Sequence, residues 1–113
     1  MDRFFVQTTQ FSEILDQLVK QGKLVWEDYL DLENRLLTNP DEGDVITGTG
    51  GLRKTRLKST TKGKSGGFRI CYLNVTSKAK IVFIHIYQKN EKETLTDGEK
   101  KVLRNLVEIL KGE

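Results

Sequence analysis

Apolar residues recur at helical spacing in three parts of the chain. The first stripe lies within residues 11–19. The second lies within residues 25–36 and stops before Pro40, because the residue that precedes a proline avoids the helical region. The third stripe follows Thr96 and Glu99, whose spacing is that of a capping box at a helix N-terminus. The pattern therefore predicts two consecutive helices in the first part of the chain and one helix at its end.

Strand-like segments account for most of the remaining apolar residues. They lie at residues 4–7 and at about residues 52–58, 67–75 and 80–88, and hairpin-length connections join the last three. The predicted order is β-α-α-β-β-β-α. This order indicates an α+β fold, with an antiparallel sheet of three to four strands and the helices packed on one face. In a chain of 113 residues, a single domain spanning 1–113 is the simplest organisation.

Alternation along the last predicted strand indicates which of its side chains share a face, since successive residues of a strand point to opposite sides. In KIVFIHIYQK the aliphatic side is expected to meet the helices, and it consists of Val82, Ile84 and Ile86. The opposite side consists of Phe83, His85, Tyr87 and Lys89.

The predicted strand LRKTRLK, residues 52–58, is expected to turn Leu57 and Thr55 towards the core. Its other side then carries the cations Lys54, Arg56 and Lys58. The middle strand, FRICYLNV, is apolar on both sides, so alternation alone does not place Arg69. The face of the sheet that points away from the helices is therefore expected to combine lysine, arginine and aromatic side chains. This combination suits phosphates and bases.

Charge is distributed unevenly along a chain whose formal net charge is only +3. Residues 1–51 carry four basic and ten acidic side chains, a net of −6, and residues 73–113 carry eight and six, a net of +2. Between them, residues 52–72 carry four lysines, three arginines and no acidic residue, a net of +7. Such local charge is typical of a surface that binds a polyanion or an acidic partner. A plain solvated surface is the alternative for a run of cations.

Several other chemistries find little support in the sequence. One cysteine and one histidine are too few for a convincing metal site or a disulfide framework, and Cys71 is expected in the core. GTGG, residues 48–51, lacks the spacing of a phosphate-binding P-loop and leads into a strand, so a turn is expected. His85 has no evident acidic or nucleophilic partner and is expected to fill space in its strand. The chain shows no signal-peptide pattern and no long apolar run, which favours a cytoplasmic protein without membrane contact.

Three longer motifs occur in order, GDVITGTGGLRKTRL, GKSGGFRICY and IYQKNEKETL. Together they resemble the RelE/HigB-like toxins of type II toxin–antitoxin modules, closest to the HigB branch, over about residues 43–95. The resemblance implies a microbial-RNase-like sheet and a metal-independent endoribonuclease that cuts mRNA in the ribosomal A site. It also implies a cognate antitoxin, with a helix-turn-helix type expected, and operator DNA bound only through the toxin–antitoxin complex. No cofactor is implied.

The resemblance assigns candidate site residues by motif position. Lys54, Arg56 and Arg69 match the family's catalytic basic residues, and Tyr87 and Lys89 match its Y-x-K pair. Arg56 stands where RelE itself has a lysine proposed as general base, and arginine is not deprotonated in a protein. The base is therefore left open among Lys54, Lys89 and Tyr87, while Arg56 and Arg69 are expected to stabilise charge on the phosphate. Contacts to RNA are expected from Lys58, Lys62, Lys64 and Asn90.

Two other functions stay open on these residues. A ParE-like relative would share the fold but poison DNA gyrase by binding, without using the cations for catalysis. A non-catalytic nucleic-acid-binding domain would use the same cations only for phosphates. A small adjacent gene that encodes a helix-turn-helix and an acidic segment would favour a toxin, and primer extension on a message during expression would separate cleavage from binding.

Overall fold

The computed structural model describes residues 3–58, 67–88 and 95–112. Its strands and helices, in chain order, are β1 (Phe4–Gln7), α1 (Thr9–Lys20), α2 (Trp26–Thr38), β2 (Asp44–Val45), β3 (Arg53–Leu57), β4 (Phe68–Val75), β5 (Lys80–Gln88) and α3 (Asp97–Gly112). A 3-10 turn, Thr76–Lys78, joins β4 to β5. The α+β class and the predicted order are confirmed, with β2 as an additional two-residue strand ahead of β3.

The five strands form one sheet in the order β1-β5-β4-β3-β2. Neighbouring strands are antiparallel except β1 and β5, which run parallel with Phe4 opposite Lys80 and Gln7 opposite Phe83. The expected sheet of three to four antiparallel strands is therefore corrected to five strands with one parallel pair. Hairpins make neighbouring strands antiparallel, but most of the chain separates β1 from β5 and leaves their relative direction free.

Helices cover both faces of the sheet, which corrects the expectation of helices on one face. α1 and α2 pack on one face, over a core (the first core) whose aromatic members are Phe11, Tyr29, Phe68, Tyr72 and Phe83. α3 packs on the other face, over a core (the second core) that includes Leu73, Val75, Val82, Ile84 and Val107. The reason lies in β4, which is apolar on both sides, so that each of its faces needs a cover.

A β-bulge interrupts the pairing of β4 with β5. Cys71 lies opposite His85, whereas the next residue, Tyr72, lies opposite Phe83, so Ile84 is an extra residue on β5. Alternation counted from the start of β5 holds up to Ile84. From His85 onwards, each side chain of β5 points to the face opposite to the one that this alternation gives.

The bulge corrects the faces predicted for β5. Val82 and Ile84 pack in the second core but Ile86 packs in the first, so the three aliphatic residues do not share a face. Phe83 packs in the first core whereas Tyr87 packs against the second, so these two rings do not share a face either. A period of two along one strand cannot reveal an inserted residue, because the insertion is defined by the pairing with the neighbouring strand.

Side-chain caps mark two of the helix starts. Ahead of α1, the Phe11 N–H donates to Thr8 Oγ1 at 3.2 Å. Ahead of α3, the predicted capping box is present: the Thr96 N–H donates to Glu99 Oε1 at 2.9 Å, and the Glu99 N–H donates to Thr96 Oγ1 at 3.2 Å. Each cap satisfies backbone donors that the first turn of a helix leaves without partners.

The GTGG segment is a turn, as predicted, and it fastens α3 to the sheet. Gly48 and Gly50 have positive φ angles, which glycine adopts without steric cost. Their carbonyl oxygens accept hydrogen bonds from α3, at 3.2 Å from Arg104 Nε and at 2.8 Å from Lys111 Nζ. The loop thus presents carbonyl oxygens to cations of α3.

Candidate active site

The register of the sheet brings four of the predicted site residues together. Arg56 on β3 lies opposite Arg69 on β4, which in turn lies opposite Tyr87 on β5. Two residues along, Lys54 lies opposite Cys71. Directly opposite residues project from the same face of a sheet, and Cys71 belongs to the second core. Lys54, Arg56, Arg69 and Tyr87 therefore share the face on which α3 packs.

The alternation predicted for β3 is confirmed. Leu57 is fully buried in the first core, whereas Arg56 and Lys58 are exposed. The pairing with β3 also places Arg69, which alternation along its own strand did not.

A cleft of about 280 Å³ opens among these cations. Half of its lining residues are predicted ones, Lys54, Arg56 and Arg69, and the others are Glu42, Asp44 and Thr55. Neither carboxylate was predicted from the sequence, because the candidate residues were chosen for positive charge and by motif position. Asp44 lies directly opposite Lys54 through the pairing of β2 with β3. The available signal was its position just ahead of the cationic segment, residues 52–72, but the pairing of a two-residue strand leaves no pattern in the sequence.

Arg69 carries a buried hydrogen-bond donor that is not satisfied. Its guanidinium Nη1 is buried and has no hydrogen-bond partner within the part of the chain that the structure describes. A buried donor without an acceptor costs about 1–3 kcal/mol, and more when it is charged, so a bound anion would relieve that cost. Phosphate oxygens match the planar fork of guanidinium donors, and Arg56 adds a second fork on the adjacent strand.

A polar brace holds the backbone of β3 beside the cleft. Arg35 of α2 donates through Nη2 to Glu42 Oε2 at 2.6 Å and to the carbonyl oxygen of Arg56 at 2.8 Å. Thr55 Oγ1 donates to the same Glu42 oxygen at 2.8 Å. The hydrogen bond from Arg35 lowers the pKa of the Glu42 carboxyl below its ordinary value, although partial burial opposes the shift. Glu42 is therefore ionised at neutral pH and engaged in fixing the strand that carries Arg56.

Arg53 does not line the cleft. It stabilises the loop at residues 40–43, which we call the corner. Its Nη1 donates to the carbonyl oxygens of Gly43 at 2.6 Å and Asp41 at 3.2 Å, and its Nε lies 3.4 Å from Asp41 Oδ1. The hydroxyl of Tyr72 supports the same corner, since it accepts from the Gly43 N–H at 3.0 Å and donates to the carbonyl oxygen of Pro40 at 2.8 Å. One of the seven cations of residues 52–72 is thus committed to the fold.

A second cavity, of about 390 Å³, lies between the strands β4 and β5 and the N-terminal half of α3. Its apolar lining includes Cys71, Ile84, Val102 and Leu103. His85 and Tyr87 also line it, and their rings stack with centroids 5.3 Å apart and an interplanar angle of 27°. Tyr87 therefore belongs to the wall of this cavity and also lies opposite Arg69 of the cleft.

Cys71 is buried, as predicted. Burial raises the pKa of its thiol to about 11, although the nearby charge of Lys54 opposes the shift. The thiol is therefore protonated at neutral pH and is a poor nucleophile. That His85 has no catalytic role stays a prediction.

The structure describes only some of the remaining predicted site residues. Lys58 is exposed directly after β3. Lys62, Lys64, Lys89 and Asn90 lie outside the described residues, so their roles stay predictions. Over residues 3–58, 67–88 and 95–112, no group of three or more histidine, cysteine or acidic side chains is arranged to hold a metal ion. In the same ranges, none of the helices combines the length and the apolar character that a bilayer crossing requires.

Comparison with known proteins identifies the family. The family model described as the RelE toxin of the RelE / RelB toxin-antitoxin system matches residues 39–112. This match covers well over half of the chain and includes every residue that lines the cleft. The chain therefore belongs to the RelE toxin family, whose members act within a two-protein system and so imply an antitoxin partner. The resemblance seen in the sequence is confirmed at this level, while the HigB branch stays a prediction.

Proposed function

We propose that this RelE-family chain is the toxin of a type II toxin–antitoxin system, in the HigB branch, and that it is a ribosome-dependent mRNA endoribonuclease. The observation that carries the proposal is the cleft in which Lys54, Arg56 and Arg69 meet, with one guanidinium nitrogen buried and without an acceptor among the described residues. Family membership supports the role of toxin. The clustered cations support a phosphodiester as the group acted upon, because they match the charge that develops on its oxygens.

The proposed reaction is cleavage of RNA by its own 2′-hydroxyl. The hydroxyl gives up its proton and its oxygen bonds to the adjacent phosphorus. The bond from that phosphorus to the 5′-oxygen of the next nucleotide then breaks, which leaves a 2′,3′-cyclic phosphate, and the departing oxygen takes up a proton. Negative charge accumulates on the phosphoryl oxygens midway. Arg56 and Arg69 stabilise that charge, since they project side by side from one face of the sheet.

Proton transfer is assigned to Lys54, Tyr87 and Lys89 as candidates. Lys54 lines the cleft, and Tyr87 lies opposite Arg69 at its edge. Neither arginine serves as the base, because a guanidinium is not deprotonated in a protein. The proposal is metal-independent, since the cations supply the charge stabilisation that metal ions supply in other phosphoryl-transfer sites.

The cationic segment, residues 52–72, also suggests how the toxin is neutralised. An acidic segment of a cognate antitoxin, expected to be of the helix-turn-helix type, would lie over or beside this segment and compete with RNA. Operator DNA would be bound only by the complex of the two proteins. Since the ribosome and the message are its targets, the cytoplasm is the proposed location.

Expression without an antitoxin tests the proposal. Growth should stop, and primer extension should show messages cut inside translated frames. Growth arrest with intact messages and altered DNA supercoiling would instead indicate a gyrase poison. Purified chain that binds RNA without cutting it on the ribosome would indicate a non-catalytic binding domain.

Salt dependence tests the proposed RNA contacts of Lys58, Lys62, Lys64 and Asn90. For single-stranded nucleic acid, the logarithm of affinity falls with the logarithm of salt concentration at about −0.7 per phosphate neutralised. Replacing Lys62 and Lys64 by alanine should therefore flatten the slope by roughly one unit or more. The cut positions should not change, since phosphate contacts position the nucleic acid without reading its sequence. If affinity is independent of salt in both the wild type and the variant without Lys62 and Lys64, the cationic segment is not a phosphate-binding surface.

A further inference from the structure

Arg35 lies on α2, outside the strands that carry the cations of the cleft, and it precedes residues 39–112, which match the family model. The helix holds it in a fixed place, because its neighbours Leu32 and Leu36 are completely buried in the first core. Membership of the family therefore gives this arginine no role. Its two contacts beside the cleft indicate one.

The first contact of Arg35 is with the backbone of β3 at Arg56. Among the described residues, β2 has only two residues, and its pairing with β3 reaches no further than Lys54. Arg56 lies beyond that point, and its carbonyl oxygen accepts from Arg35 Nη2 at 2.8 Å. Backbone carbonyl groups at a sheet edge need such a partner, and here α2 supplies it where β2 does not reach. Arg35 therefore fixes the backbone that carries the Arg56 guanidinium.

The second contact of Arg35 is with Glu42, a carboxylate that lines the same cleft as Arg56. Arg35 binds it through two nitrogens, with Nη2 at 2.6 Å from Oε2 and Nε at 3.4 Å from Oε1. A carboxylate and a phosphate both match the planar fork of a guanidinium, so Glu42 without this partner would compete with RNA for Arg56. Arg35 thus engages the one group of the cleft lining that, together with Asp44, carries negative charge.

We propose that Arg35 is a positioning residue of the cleft: it holds the backbone at Arg56 and keeps Glu42 engaged, so that the Arg56 guanidinium is left to the phosphate. This inference rests on the RNA substrate proposed above and adds a residue that does not touch the reacting atoms. The two contacts affect different quantities. The backbone contact places a group that stabilises the transition state and so affects kcat, whereas the Glu42 contact removes a competitor for the phosphate and so affects RNA affinity.

Three variants separate the two contacts. Arg35→Ala removes both, and its RNA affinity should fall about ten-fold, because a carboxylate beside the phosphate loses its partner. Its cleavage rate for bound message should fall by about 10², the scale of a misplaced catalytic group. Adding Glu42→Gln to Arg35→Ala removes the competing charge, so affinity should return to the wild-type value while the rate stays low. Arg35→Lys keeps a cation for Glu42 and should keep the wild-type affinity.

Arg104→Ala is the matched control. Arg104 is also a helix arginine whose guanidinium donates to a backbone carbonyl oxygen, that of Gly48 at 3.2 Å, but it does not line the cleft. This variant should keep the wild-type affinity and rate. Denaturant titration of each variant shows that it is folded under the conditions of measurement. Loss of folding alone would lower affinity in Arg35→Ala and in the double variant alike, so recovery in the double variant distinguishes competition by Glu42 from unfolding.

Affinity is measured by titration with a short single-stranded RNA, and the rate is measured on the ribosome. Because binding needs no cleavage, this inference and the proposed function fail separately. Affinity that falls in Arg35→Ala and recovers in the double variant, in a chain that leaves messages intact, would support the positioning role and reject the nuclease. Messages cut by the wild type and by Arg35→Ala at equal rates and with equal RNA affinity would support the nuclease and overturn the positioning role. A double variant that binds RNA no better than Arg35→Ala would also overturn it.

Discussion

The two faces of the sheet are built differently. Under α1 and α2, the rings of Phe11, Tyr29 and Phe83 pack on one another with centroids 5.3–6.2 Å apart and are almost completely buried. Under α3, an aliphatic core occupies only part of the face, and the rest carries the cleft and the cavity. The first face is closed by packing, whereas the second leaves concave surface open to a ligand.

The difference indicates where stability and function reside. The closed face contains the larger core. The stability that this core supplies offsets an arrangement elsewhere that is unfavourable in free energy. The open face contains that arrangement, a buried guanidinium nitrogen of Arg69 with no acceptor in the described part of the chain and a second arginine beside it. Substitutions on the closed face should therefore change the free energy of unfolding, and substitutions on the open face should change activity.

The largest expected effect is on the closed face. Phe83→Ala removes a fully buried ring that contacts three other aromatic rings, and it should lower the free energy of unfolding by about 3–5 kcal/mol. Denaturant titration of the purified chain measures it. Val102→Ala, at an exposed position on α3, is the control and should stay within ~0.5 kcal/mol of the wild type. Equal losses in the two variants would remove the distinction between the faces.

The next effect is on the open face. Arg56→Ala and Arg69→Ala should each lower the rate of mRNA cleavage by about 10²–10³, the usual cost of one transition-state donor. The free energy of unfolding should change little in Arg56→Ala, and it should not fall in Arg69→Ala, because that substitution removes an unsatisfied buried donor. Cleavage is measured on the ribosome beside a denaturant titration.

Two controls accompany the arginine variants. Lys20→Ala removes a cation at the end of α1, on the opposite side of the sheet, and should keep wild-type cleavage. His85→Ala should be milder than either arginine variant. Full activity in Arg69→Ala together with none in His85→Ala would show that the cleavage site is assigned to the wrong residues.

A smaller effect is expected at the start of α3. Thr96→Ala removes one half of the capping box and should cost about 1 kcal/mol. Because α3 covers only the open face, hydrogen exchange should quicken in α3 more than in α1 or α2. Thr76→Ala, in the 3-10 turn between β4 and β5, is a threonine control outside any helix cap. Uniformly faster exchange across all three helices would show that α3 is not separable from the closed face.

The smallest expected effect is on the acid dependence of stability, through the ion pair of Arg35 and Glu42 behind the cleft. Arg35 lowers the pKa of Glu42 in the folded chain, so the ion pair stabilises the fold above the pKa of the unfolded carboxyl. That contribution is lost as pH falls through the lower, folded pKa. Glu42→Gln should therefore reduce stability near neutral pH, within ~1 kcal/mol for a partly exposed pair, and flatten the loss of stability in acid.

Unfolding at several pH values measures this change. Glu13→Gln, on the exposed side of α1, should keep the acid dependence of the wild type. An unchanged acid profile in Glu42→Gln would show that the brace contributes nothing to the stability of the fold.

The sequence by itself determined the local features of this protein. Helical stripes, the capping box at Thr96 and Glu99, and the turn at GTGG were predicted, because each depends on residues a few positions apart. The alternation along β3 was predicted for the same reason, and it placed Lys54 and Arg56 on the side opposite to Leu57. The concentration of cations in residues 52–72 was also visible, and it pointed to the strand that carries half of the cleft.

Tertiary structure alone decided how these pieces meet. The parallel pairing of β1 with β5 joins residues 4–7 to residues 80–88, and the side chosen by α3 depends on a central strand that is apolar on both faces. The bulge at Ile84 separated Phe83 from the face of Tyr87, and the pairing of β2 placed Asp44 opposite Lys54. Each of these depends on contacts between residues distant in the chain, and such contacts leave no period or spacing in a single sequence from which they can be predicted.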